Sequence, residues 1–193
     1  IGVIYALIVG PVNALTGVLA VLLGLSFAER LSGNDEQTHV YRHPGIFVWM
    51  LWTYFPVSLM AFWAFLWMVA HGHNGGDLFA LASTVQSLTG FDMVAAHAGD
   101  GLGSYLLAAV LFSQIASIGS VTIGHELSHR TWEAYSVFSS RACSLFGLFT
   151  YYAIEHPYGH HFTVGTPADS STALRGESVY RYFLRTAPQD YST

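Results

Sequence analysis

Three stretches of this chain carry no Asp, Glu, Lys or Arg: residues 1–28, 43–76 and 101–125. Each exceeds the roughly 20 apolar residues that take a helix across a bilayer core. In hydrocarbon, a lone segment satisfies its own backbone polar groups only as a helix. The pattern therefore predicts an all-α, integral-membrane helical bundle with spans near 4–28, 44–70 and 103–124. Composition agrees, since 52% of the 193 residues are hydrophobic and 10% charged, against about 25% charged in an ordinary soluble domain. The first apolar run is not a signal peptide: no positive region precedes it and no small-residue cleavage pattern follows. A net charge of −5 without a basic patch excludes nucleic-acid binding. The single cysteine, Cys143, excludes an internal disulfide.

The positive charges orient the bundle. All seven are arginines, and none lies in 71–102, which carries Asp77, Asp92 and Asp100. By the positive-inside rule, 29–43 and everything after 129 are expected in the cytoplasm and 71–102 outside. Residues 78–98 are only weakly apolar and are not counted as a span. Segment 134–154 is apolar enough to tempt a fourth crossing, but it carries Arg141 and four serines, a costly set in hydrocarbon. It is expected to lie in the interface or beneath the bundle and return the chain to the same face. Two regions follow: a transmembrane bundle over 1–129, and a cytoplasmic-face region over 130–193 with an interfacial helix and a tail. Pro44 suits a helix start, and Pro56 is expected to kink the second span. In the third span, Ala109, Ala116 and Ser120 form a small-residue packing face. Leu111, Gln114, Ile118 and Thr122 continue the opposite face, toward His125.

Five of the ten histidines fall in two groups, GHELSHR at 124–130 and EHPYGHH at 155–161. His125 and His129, at i and i+4, share one helix face and can grip one metal ion. Alone the pair is a weak signal, because HExxH matches also mark zinc proteases. The second group strengthens it. Pro157 is expected to turn His156 out of helical geometry, and Gly159 to permit a sharp turn or a close approach. Adjacent His160 and His161 point about 100° apart on a helix, so they suit two ions better than one. Five imidazoles exceed the set of a single zinc site. Glu126 and Glu155 beside the clusters are expected to accept the second N–H of ligating histidines. His39, His43, His71, His73 and His97 fall in connections or at span ends and are read as non-ligands.

GHELSHR followed by EHPYGHHFTVGTPADSSTALRGESVYRYFLRT resembles the first two histidine boxes of the bacterial alkane 1-monooxygenases, over roughly residues 103–187. These are integral-membrane non-haem di-iron hydroxylases, more distantly related to membrane fatty-acid desaturases. The resemblance implies that His125, His129, His156, His160 and His161 ligate two iron ions. It implies O2-dependent hydroxylation of a terminal alkane carbon, with electrons from reduced rubredoxin and its NADH-linked reductase, in the bacterial inner membrane with the metal site on the cytoplasmic side. The substrate is expected to enter from the lipid bilayer, and the arginines with the 170–193 segment offer a docking surface for the electron donor. The family continues into a third histidine box not found before Thr193. The chain is thus expected to be a fragment lacking the C-terminal part, inactive by itself. Rival readings are hydroxylation of alkyl-aromatic or fatty acyl chains, an intramembrane zinc protease with Glu126 as base, and a metal transporter or receptor.

Overall fold

A computed structural model describes residues 1–34 and 40–190, and every regular element among them is helical. In order these are α1 (Gly2–Val9), α2 (Pro11–Ser32), α3 (Gly45–Asn74), α4 (Leu81–Thr89), α5 (Met93–Ala96), α6 (Leu102–Ser128), α7 (Ala134–Phe146), α8 (152–163) and α9 (Val179–Asp190). Within α6 a wide π turn occupies Ile118–Ile123, and within α8 another occupies His156–His160. His39 lies outside the described residues. The chain forms two compact units, 1–115 and 116–193, with the division falling inside α6.

Among the described residues, two helices are long and apolar enough to cross a membrane: α3 and α6. On α3, Trp49, Met50, Leu59, Met60 and Val69 are exposed. A core helix of a soluble protein would bury such side chains, and an exposed apolar surface of this kind marks an interaction face. The first expected span, 4–28, is not one helix. Gly10 sits at φ 94, in the region that favours glycine, and ends α1. The helix restarts at Pro11, where a missing N–H costs nothing. The 78–98 stretch forms the short helices α4 and α5 after a tight turn at Leu78–Ala80. Nine residues of α4 reach only about 14 Å, in keeping with its exclusion from the spans.

In the first unit, Leu7, Ala64, Trp67, Met68, Met93 and Ala108 share a core. Asp77 organises its polar edge by accepting from Trp67 Nε1 at 2.8 Å and from the Ala82 and Ser83 amides of α4. Two of the histidines read as non-ligands have structural partners here. His71 stacks on Trp67, and buried His97 contacts Asp100 at 2.6 Å and the Ile8 carbonyl at 3.2 Å. Leu111 is buried with Ala6.

In the second unit, α7 packs against the last turns of α6. Ser136, Ser139, Ser140 and Ser144 are buried together with Cys143, while Arg141 is exposed. The small side chains let the two backbones approach closely. Ser140 Oγ donates to the Gly124 carbonyl at 2.7 Å. A Cβ on Gly147 would fall 2.5 Å from Ser120 Oγ and 3.0 Å from Ser120 Cβ. Only glycine fits that crossing.

Candidate metal centre

The site begins at the C-terminal turn of α6. Leu127 and Ser128 are buried there, leaving His125 and His129 on the other side with ring centroids 4.9 Å apart. The chain then turns sharply. Arg130 donates to both carboxylate oxygens of Glu133 at 2.7 and 2.6 Å and lies over the Trp132 ring. That pairing, with a hydrogen bond from Ser136, holds the Glu133 carboxyl at about 2. The turn sends α7 back along the last turns of α6, where Ser140 meets Gly124 and Gly147 meets Ser120. After Gly147 and Leu148, the latter at φ 55, α8 carries the second group back to the first.

The two groups meet. Ligand atoms of His125, His129, His156 and His161 all lie within 4.8 Å of one another. The His156 ring is 4.3 Å from that of His125, 5.1 Å from His129 and 4.5 Å from His161. His156 and His161 point Nε2 at Nε2 across 3.0 Å. His156 is 6% exposed. Burial, followed by the neighbouring imidazoles, lowers its pKa to about 4. Its ring is therefore neutral at neutral pH, with a lone pair available to a metal. Four imidazoles converging in so small a volume fit a borderline transition-metal ion such as iron, zinc, copper or nickel, and no hard oxygen-seeking ion.

Local geometry differs from expectation at Pro157. His156 is right-handed helical at φ −60 and ψ −56, and the helix runs through the proline. The π turn explains this, since bonding to i−5 relaxes the ring clash and the lost N–H bond that proline causes in a regular helix. The same widened turn separates the fates of the adjacent histidines. His161 joins the four-ring group, while His160 stacks on His156 at 5.3 Å and presents Nδ1 to Asp169 at 3.0 and 3.1 Å.

Glu126 is exposed and hydrogen-bonds to no ring among the described residues. Glu155 instead lies over Gly159, where a Cβ would come within 2.8 Å of its Oε1. Asp169 was not singled out from the sequence, although it is the acid of the TPAD motif. It is 3% exposed. Burial pushes its pKa up, but hydrogen bonds from Thr172, His160 and the Ser171 amide outweigh this and hold it below the usual value. Arg185 of α9 braces the same loop, donating to the Ser170 and Thr172 carbonyls and pairing with Glu177 at 2.9 Å.

A cavity of about 540 Å³ opens beside the rings. Phe149, Tyr151, Tyr152 and Phe183 form its aromatic wall, and Glu155, His156 and His160 its polar one. An apolar hollow with a few convergent polar groups is the usual form of a small-molecule site.

A fatty acid desaturase domain matches residues 99–191, which include both histidine groups, the Asp169 loop and α9. The chain is 37% identical over 67 residues to alkane 1-monooxygenase of Acinetobacter baylyi, covering 35% of this chain and 16% of that one. It is 34% identical over 82 residues to alkane 1-monooxygenase 1 of Alcanivorax borkumensis, covering 42% and 20%. Over 69 residues it is 33% identical to alkane 1-monooxygenase of Ectopseudomonas oleovorans, covering 36% and 17%. The chain thus spans a fifth or less of the length of these relatives. No solved structure matches it.

Proposed function

We propose that this chain, which is similar to alkane 1-monooxygenases across its two histidine groups and carries the fatty acid desaturase match over 99–191, contributes the imidazole site of an enzyme that hydroxylates the terminal carbon of alkanes. The observation that carries the proposal is the convergence of His125, His129, His156 and His161 within 4.8 Å. In this reading those four and His160 ligate two iron ions, which supply the activation of O2 when bound.

The protein's own residues prepare that chemistry. The four rings offer nitrogen lone pairs at fixed positions, and burial keeps His156 from capturing a proton instead. The aromatic cavity beside them receives an alkyl chain from the bilayer and excludes water, which suppresses side reactions of a strong oxidant. In this reading α3 and α6 anchor the protein in the bacterial inner membrane, with the metal site on the cytoplasmic side as the arginine distribution favours. Exposed Arg175 and Arg181 offer positive charge to an acidic electron carrier of the rubredoxin type, served by an NADH-linked reductase. Arg185, which also counted toward that surface in sequence, is instead engaged with Glu177.

The zinc-protease alternative gives no role to His156 and His161, whose rings close the group. The test is metal analysis of the membrane-purified chain, followed by assay of the whole enzyme to which it contributes this site with alkane, reduced rubredoxin and O2. Bound iron and a 1-alkanol product are the expected result. Bound zinc with peptide hydrolysis, or iron binding unaffected by His156→Ala and His161→Ala, would overturn it.

A further inference from the structure

His160 stands apart from the four-ring group, and its environment specifies how it is used. Nδ1 faces both oxygens of Asp169 at 3.0 and 3.1 Å. The Asp169 side chain has no exposed surface, so water cannot compete for that carboxylate. Its remaining contacts all come from donors: the Thr172 hydroxyl and the Ser171 amide. A carboxylate accepts and does not donate, so the ring nitrogen that faces it must carry the proton. The loop itself is braced from α9, by Arg185 on the Ser170 and Thr172 carbonyls and by Tyr182 on the Ser171 carbonyl.

Resting on the metal-centre reading above, we propose that Asp169 is a positioning residue that fixes His160 in the Nδ1–H tautomer. Nε2 is thereby left as the lone-pair nitrogen, available to a metal ion. The buried carboxylate also raises the basicity of the ring it holds and restricts its rotation, the two ways in which an outer partner strengthens a histidine ligand. This is the role that Glu126 and Glu155 were expected to play from sequence. Asp169 reaches His160 from nine residues downstream.

The experiment is a cobalt(II) titration of the full chain purified in detergent, against a competing chelator, with the visible spectrum recorded at each point. Wild type, Asp169→Asn, His160→Ala and the double variant are compared. Asparagine keeps the size of aspartate and an acceptor oxygen, so the loop stays closed, and size-exclusion profiles check this. Asp169→Asn is expected to weaken cobalt binding about 10- to 100-fold and to alter the spectrum. In the His160→Ala background the same change is expected to have no further effect, because coupled residues are not additive. Wild-type affinity in Asp169→Asn, or losses that simply add in the double variant, would overturn the proposal and leave the metal centre standing. A wild-type chain that binds no cobalt would overturn the metal-centre reading itself. Glu177→Gln loosens the loop's brace without touching His160 and is expected to retain the wild-type spectrum. If it weakens binding as much as Asp169→Asn does, Asp169 serves only to hold the loop.

Discussion

His156 concentrates the chemistry of the site in one side chain. Its pKa near 4 lies below the 6.5 of an ordinary imidazole, so between those values the unfolded chain binds a proton that the folded chain refuses. The metal-free protein is therefore expected to hold this contribution to stability in full above about pH 6.5 and to lose it as pH falls toward 4. Chemical denaturation at pH 7.5 and pH 4.5, in wild type and His156→Gln, measures the difference; an equal pH dependence in both would refute the assignment. The histidines themselves were legible in the sequence because ligand spacing on a helix is a local property. Asp169 was not, since a carboxylate that reaches a ring through a nine-residue loop leaves no periodic trace.

At the scale of elements, the decisive features are two π turns and one close helix crossing. Arg141 and the serines spoke against a fourth crossing by 134–154, and α7, at 13 residues or about 20 Å, packs on the last turns of α6. Nothing in the composition marks a π turn. Deleting Val121 is expected to convert the turn in α6 to regular helix, rotating His125 and His129 by about 100° relative to the preceding spiral. Helical content by circular dichroism should persist while metal binding disappears, and retention of metal would contradict the role given to the turn. Gly147→Ala is expected to cost about 1–3 kcal/mol by overpacking against Ser120, read as a lowered thermal midpoint in detergent.

For the whole molecule, the charge-free stretches foretold two helices of membrane length, while Gly10 divided the third. The protein is expected to stay in the membrane pellet through an alkaline wash and to need detergent for release; appearance in the wash supernatant would argue against spanning helices. The facing Nε2 atoms of His156 and His161 have a further consequence at this scale. In the metal-free protein one ring can donate its N–H to the other across 3.0 Å, and a metal ion that takes both lone pairs replaces that proton. Ligand and architecture are then thermodynamically one system: a metal bound 100-fold above its dissociation constant would raise stability by about 2.7 kcal/mol. Metal supply, as much as sequence, would set how long each copy survives.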